Sequence, residues 1–590
     1  MSSKAKAGVA AILLILALVA GLYLSGFITL ALLKLQVPLK ATTYLEYWRG
    51  LDLPQVKPYV LRIKIAGILG FGLPLLGWAL LLIPMLRSKQ QSLHGEASFA
   101  TVADLQKAGM LDKKPESILV GKLKGRSIYI NGALHVIVVA PTRSGKTTSI
   151  AIPVLLTYQQ SMVVLDLKGE LFKATSGYRA SQGQAIYVWA PYATDGRTHR
   201  FNPLTLVPDD PRERIASIQT MAAILYPDEP GKDSFWVTQS RAAFVAFACF
   251  MFERWDTMRS RGFDSVDDPN QGPFFPSLER LLRLSTGGDG GESTNDLLKM
   301  LLTDKNYSYL SPQTRSTFSA LAGLAEQTFS SVMATMQAPL QQFLSPILAA
   351  ATNATDIDVT AIRKRLTTVY VIIPTQKLDE SSKLLNIFFS SVIGNNLDKQ
   401  LNEDPAIKYQ MLMLMDEFTA MGRVDVWAKR ISISASYGVR DLCIIQSQSQ
   451  LRATYGADDA KNFITNHAAS IVFTPREQED ANAYSDMLGY ATIGRQHRST
   501  SSGGGASNVS YSYTEERRAL MLPQEIKELP GDDELLFFEG SKPIRCEKNW
   551  FFKDRVLKSR IMDPVAVPAP GPEQALPPGP GADHPAWRAQ

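Results

Sequence analysis

Ala140-Pro-Thr-Arg-Ser-Gly-Lys-Thr147 is the stretch on which the fold turns. The apolar run His135-Val-Ile-Val-Val139 before it reads as a buried parallel strand, and Thr148 to Ile152 after it as a short helix ended by Pro153. Strand, tight loop, Lys-Thr and helix, in that order, make a phosphate-binding P-loop. In such a loop successive backbone N–H groups and a helix N-terminus converge on an anion. Thr142, Arg143, Ser144, Gly145, Lys146, Thr147 and Thr148 are therefore the expected ATP-binding set. Lys146 would reach the β- and γ-phosphates, and the Thr147 hydroxyl would hold Mg²⁺. Ala140 stands where the strict pattern has its first glycine, a change that a residue with negative φ tolerates.

One nucleotide site needs a second half, and Met411-Leu-Met-Leu-Met-Asp-Glu417 supplies it. A hydrophobic strand ending in Asp-Glu is the Walker B arrangement. Asp416 is expected to hold Mg²⁺ and Glu417 to polarise the attacking water as general base. Alone an apolar run ending in Asp-Glu is weak; paired with the upstream loop it is strong. Further buried strands are read at Met162–Leu167, Ala185–Trp189, Thr368–Ile373, Asp441–Ile445 and Ile471–Phe473. These short apolar runs without alternation suit strands covered on both faces of a mostly parallel sheet. Gln446 follows one of them directly, where a γ-phosphate would lie, and is the expected sensor.

At 590 residues the chain holds several structural units. Cys249, Cys443 and Cys546 lie far apart, with neither metal-ligand spacing nor a disulfide framework, which suits a reducing compartment. The net charge of +6 is no pointer to nucleic acid, because residues 1–90 carry +8 and the remainder −2.

That basic end is also the apolar end. Gly8–Leu33 and Ile65–Leu86 are each long and apolar enough to span a bilayer. The first run is too long for a signal peptide and lacks a small-x-small cleavage site. The glycines and the proline of the second are tolerated where a neighbouring helix packs against it. Loop charges do not settle the orientation, since Lys4, Lys6, Arg87 and Lys89 flank the outer ends but the intervening loop is basic too. ATP is cytoplasmic, so both termini are placed in the cytoplasm. Residues 34–64 then form an external loop whose Tyr44, Tyr47 and Trp48 are expected at the membrane interface.

Between Pro203 and Leu344 the strand pattern gives way to helical periodicity over 212–226, 234–255, 276–284, 294–304 and 313–343. Pro227, Pro230, Pro273 and Gly287–Gly291 mark loops between them. Arg254, Arg259 and Arg261 are a basic element that either contacts phosphates or is a solvated turn. Ser499–Ser512 reads as a mobile Ser/Gly-rich loop, and the Pro-rich tail from Pro564 as disordered. The expected organisation is a membrane anchor over 1–90 and a nucleotide-binding domain in two parts, 91–205 and 346–560. An all-helical domain at 206–345 separates those parts, and a tail spans 561–590.

The chain resembles the VirD4/TraG family of type IV secretion coupling proteins, relatives of RecA- and FtsK-like motors. The carrying segments are the P-loop, Val164-Leu-Asp-Leu-Lys-Gly-Glu170, Phe201-Asn-Pro-Leu204 and Asp233-Ser-Phe-Trp236. To these are added Asp416-Glu-Phe418 with Gly422, Gly438 through Leu451, and Arg518–Ile526, in family order from about residue 92 to 552. The resemblance implies a RecA-like α/β core with an inserted all-helical domain over the channel entrance, where it meets the substrate. It further implies a hexameric inner-membrane ATPase delivering single-stranded DNA with its relaxase, or effector proteins, to the secretion channel subunits. An FtsK-like chromosome translocase would usually add a winged-helix DNA reader, which the Pro-rich tail does not offer. No arginine finger transfers from related motors, because Ser434-Ala-Ser-Tyr437 occupies that place; Arg423, Arg430 and Arg440 are candidates by proximity in sequence.

Overall fold

The computed structural model describes residues 3–86, 95–228, 234–263, 274–287, 293–503 and 506–569. Arg87, Lys89, Pro230, Asp233, Pro273, residues 288–291 and the Pro-rich segment from 570 lie outside them. The chain divides into two units, Met1–Leu93 and His94–Gln590.

In the first unit two long helices, Ser3–Leu33 and Val60–Leu86, pack side by side, and both contain apolar stretches long enough to cross a membrane. Their contact is made by small residues. A Cβ on Gly70 would overlap the Ser25 backbone, and one on Gly67 the Tyr44 hydroxyl. Ser25 and Thr29, buried between the helices, donate their hydroxyls to Leu22 and Ser25 carbonyls of their own helix. Outward faces are apolar, as at Ile12, Leu16, Leu73 and Leu80. The Tyr44 ring is buried beside Phe71, in a socket that the glycines of the second helix leave for it.

The second unit is organised by one large sheet. Its strands are β1 (Ile118–Leu123), β2 (Arg126–Ile130), β3 (Val136–Val139), β4 (Ser161–Leu165), β5 (Ala185–Trp189) and β6 (Thr367–Val371). They continue with β7 (Met411–Asp416), β8 (Val439–Ile445), β9 (Ala469–Val472), β12 (Asp533–Phe538) and β13 (Ile544–Glu547), while β10 (Tyr490–Gly503) and β11 (Ala506–Ala519) form a separate ribbon. The order is β2-β1-β13-β12-β9-β3-β8-β7-β4-β6-β5. From β9 to β5 every pairing is parallel, and from β9 outward through β12, β13, β1 and β2 every pairing is antiparallel. The parallel part is covered on both sides, so period-2 alternation sorts β7 between two cores. Met411, Met413 and Met415 join one layer, Leu412 and Leu414 the other.

The four outer antiparallel strands were not legible as an extension of the sheet. At β1–β2 the signal is Lys124-Gly125, both at positive φ (51° and 76°), which makes a two-residue hairpin turn. Two other readings need correction. Pro153 does not end the helix after the P-loop: a wide turn over Thr147–Ala151 runs without a break into Ile152–Leu155, and Pro153 lies inside that run. Of the Ser/Gly-rich stretch from Ser499, residues 499–503 and 506–512 are no loop but belong to the paired strands β10 and β11, in antiparallel register from Tyr490↔Ala519 to Gly503↔Ala506, while residues 504 and 505 lie outside the described residues.

Between β5 and β6 the described residues form helices, including Pro211–Leu225, Ser234–Ser260, Leu278–Ser285, Thr294–Thr303, Pro312–Ala322, Glu326–Gln337 and Pro346–Thr352. Ser234–Ser260 is central; it too is apolar enough to span a membrane, but Phe244, Phe247 and Phe250 are fully buried against its neighbours. The expected single helix over 313–343 breaks at Gly323-Leu324-Ala325. Arg254 is buried under the Phe274 ring, and Arg259 stacks on Trp255 and pairs with Asp256, so these two brace the helices instead of forming an open basic patch. The start of the tail is also ordered against the core: Val565 and Val567 pack on it, the Val565 N–H reaches the Ser176 hydroxyl (3.2 Å), and the Thr198 N–H reaches the Pro568 carbonyl (3.0 Å).

Candidate nucleotide-binding site

The topology sets β8 between β3 and β7, so the carboxyl ends of these three parallel strands lie side by side in the middle of the sheet. The loop leaves β3 at Ala140, whose N–H bonds the Ile445 carbonyl of β8 (2.9 Å). It turns through Arg143 (φ 63°) and Gly145 (φ 88°), the conformations that let backbone N–H groups face inward. Thr148 and Ser149 hydroxyls close back on the Gly145 carbonyl at 3.0 and 2.9 Å.

Lys146 and Thr147 then meet residues some 270 positions away. The Lys146 ammonium, mostly buried, contacts the Glu417 carboxylate directly. The Thr147 hydroxyl bonds Asp416 Oδ2 (3.3 Å), while Asp416 Oδ1 is buried with no hydrogen-bond partner among the described residues. Gln446, one residue past β8, donates Nε2–H to Glu417 Oε2 (3.0 Å). Glu417 is held at φ 83°, a conformation rare for a residue with a side chain, at the point where β7 gives way to the turn Phe418–Met421. The five residues line one cleft of about 250 Å³. Burial pushes the Asp416 carboxyl up to about 6; Lys146 opposes this, and Glu417 and Asp166 add to it.

Asp166, just past β4, is the residue that sequence reasoning passed over. It lines the same cleft, is raised in pKa by burial, and accepts the Phe172 N–H (2.8 Å) at the start of the helix Glu170–Ser181. The available signal was a lone aspartate ending an apolar strand, in the same position that Asp416 has on β7.

Thr142, Arg143 and Ser144 do not face this cleft. They line a second one, of about 650 Å³, with Arg476, Lys527, Lys548 and Trp550. There Arg476 donates to the Thr142 hydroxyl (3.2 Å) and carbonyl (2.9 Å), and Lys548, stacked on Phe473, donates to the Ser144 carbonyl (3.2 Å). The Phe551 N–H reaches the Thr148 carbonyl (3.2 Å), so the segment Lys548–Phe551 straps the loop from behind. Of the three arginines considered for a finger, Arg440 is excluded: it is fully buried and donates to the Leu134, Glu116 and Ile130 carbonyls. Arg423 pairs with Asp425 and Asp459, and Arg430 is exposed.

A parallel sheet with this loop, and the two acidic residues at the end of the strand next but one, defines a P-loop NTPase core. Residues 88–573 match the family described as type IV secretory system conjugative DNA transfer, and the chain belongs to it. It is 26% identical over 495 residues to the protein VirD4 of Rhizobium radiobacter, covering 82% of this chain and 68% of that one. It is 24% identical over 575 residues to the conjugal transfer protein TraG of Escherichia coli, covering 89% and 86%. Among solved structures it shares its fold with the bacterial conjugative coupling protein TrwBΔN70 (TM-score 0.52, 15% identity, 78% of this chain and 96% of that one). A second TrwB structure, in complex with ADP and Mg²⁺, is equally similar (TM-score 0.52, 14% identity, 78% and 96%).

Proposed function

We propose that this conjugative DNA transfer protein is a membrane-anchored ATPase that recruits single-stranded DNA with its relaxase and drives it into a type IV secretion channel. The observation that carries the reading is the meeting of Lys146 and Thr147 with Asp416, Glu417 and Gln446 in one cleft. That TrwB binds ADP with Mg²⁺, and a non-hydrolysable ATP analogue, supports ATP as the ligand.

The residues fit a divalent cation. Asp416 Oδ1 is buried and unpartnered among the described residues, while Oδ2 already meets the Thr147 hydroxyl. Mg²⁺ held by these two groups would offset charge on the transferring phosphoryl group. Lys146 would exchange Glu417 for phosphate oxygens, which frees Glu417 to take the proton of the attacking water. Gln446 keeps that carboxylate aimed through its 3.0 Å bond. Catalysis of this kind is positioning and charge stabilisation, which a cleft at strand ends supplies.

The helices Ser3–Leu33 and Val60–Leu86 would anchor the chain in the inner membrane with both termini cytoplasmic, and six copies would form the ring. The helical residues 206–345 would be the lobe facing substrate, between the two halves of the nucleotide-binding domain. The test is ATP turnover by the full chain in nanodiscs, with and without single-stranded DNA. Stimulation by DNA supports the reading. A rate indifferent to DNA but raised by effector proteins would replace it with a protein-only receptor.

A further inference from the structure

We infer that one face of the β10–β11 ribbon, carrying Tyr511 and Tyr513, is a stacking platform for single-stranded DNA. This rests on the proposed DNA substrate and names the element of this chain that holds it.

The ribbon is long, with 14 residues in each strand, and is a two-stranded sheet apart from the main one. Its base is pinned: Glu96 bridges Ala491, the Thr492 N–H reaches the Gly95 carbonyl (3.1 Å), and the Leu520 N–H reaches the Gly489 carbonyl (2.9 Å). Two strands without a covering layer are marginal in water, so a ribbon of this length implies a ligand or partner on one of its faces.

Residues two apart on a strand share a face at a spacing of about 7 Å. Tyr511 and Tyr513 are such a pair, 59% and 77% exposed, both far more open than the tyrosines of the core. Nearer the base the same face holds Glu515 and then Arg517, whose guanidinium stacks 3.5 Å over the Tyr490 ring. The face therefore presents two open rings and, closer to the body, a guanidinium already lying on a third. Consecutive aromatics on a strand are how sheet platforms take successive bases, because every base offers a π-face.

Charge and composition favour nucleic acid over protein. The ribbon's sequence has Arg495, Arg498, Arg517 and Arg518 against Glu515 and Glu516; on the face opposite the tyrosines Arg495 pairs with Glu516 and Arg518 with Glu525, which leaves the basic excess to the tyrosine-bearing side. Among the described residues of the ribbon the exposed large apolar side chains are Tyr511 and Tyr513 alone, rings without the aliphatic centre a protein interface requires. A second copy of this chain as occupant is disfavoured on the same ground.

The experiment measures binding of fluorescein-labelled oligodeoxythymidylate to the full chain in nanodiscs by anisotropy. Tyr511→Ala/Tyr513→Ala should weaken binding by about tenfold or more, and Tyr511→Phe/Tyr513→Phe should bind like the wild type. ATP turnover without DNA and oligomeric state should be unchanged in both. An oligonucleotide carrying 5-iododeoxyuridine should crosslink at Tyr511 or Tyr513. Wild-type affinity in the alanine variant overturns the platform alone and leaves the DNA substrate standing. Loss of the oligomer in that variant overturns it in favour of a subunit contact. If the wild type itself fails to bind the oligonucleotide, platform and DNA substrate fall together.

Discussion

The indole of Trp550 occupies the space that a Cβ on Gly145 would need, and Gly145 itself turns at φ 88°. Two independent constraints, one conformational and one steric, therefore hold glycine at the position just before Lys146.

Gly145→Ala should abolish tight nucleotide binding. A side chain at that φ costs on the order of 1–3 kcal/mol by itself, and the indole must also move. Calorimetric titration with MgATP should show affinity reduced by more than about tenfold. Adding Trp550→Ala should restore only part, since it removes the overlap and not the backbone strain. Full restoration would show that the contact alone fixes the glycine.

Arg179 is a brace behind the site. It is fully buried and donates to the Thr368 hydroxyl (2.7 Å) and to the carbonyls of Leu155 (2.8 Å), Tyr158 (3.0 Å) and Gln160 (2.8 Å). It thereby ties the end of the P-loop helix to β6 and the helix Glu170–Ser181. Arg179→Met leaves those acceptors buried and unpaired, and should destabilise the fold by about 3–5 kcal/mol in urea titration. Arg179→Lys should recover little, because one ammonium cannot span four acceptors. A methionine variant as stable as the wild type would contradict the brace.

Two buried histidines should each make the fold sensitive to acid. Burial holds His467 down to about 4 and His135 down to about 3, so both stay neutral in the fold while the unfolded chain takes up their protons near pH 6.5. The stability these two histidines contribute is therefore full above pH 6.5 and falls as pH drops toward 4. Asp441, which burial pushes up to about 7, acts in the opposite sense across that whole range, as do Asp416, pushed up to about 6, and the buried Asp166 and Glu534, so the histidine contribution is read from its own variant and not from the net curve. His467→Phe, which keeps a ring beside Phe463, should reduce the slope of stability against pH by about 1.4 kcal/mol per unit between roughly pH 4.5 and 6. Chemical denaturation at several pH values measures it, and an unchanged slope would acquit His467.

How much of this was readable depended on burial. The parallel strands announce themselves because both faces are covered, so Val136–Val139 and Met411–Met415 are apolar without interruption. The antiparallel strands carry polar residues within short runs, as in Asp533-Glu-Leu-Leu-Phe-Phe538 and Ile544-Arg-Cys-Glu547, and lose that signature. In the candidate site Lys146, Thr147, Asp416, Glu417 and Gln446 came from local motifs and lie together. Lys548 and Trp550 could not be found that way: they back the P-loop from some 400 residues downstream, and nothing local marks a residue that serves a distant backbone. The ribbon was hidden by its own tip, where Ser and Gly read as loop although register continues to Gly503↔Ala506.

The central claim is that Glu417 is the base in a site that Lys146 and Asp416 complete, and single-turnover ATP hydrolysis by purified Glu417→Gln tests it most directly. Bound MgATP should persist while its cleavage slows by about 10²–10⁴-fold. Cleavage at the wild-type rate from a fully loaded variant would contradict the assignment.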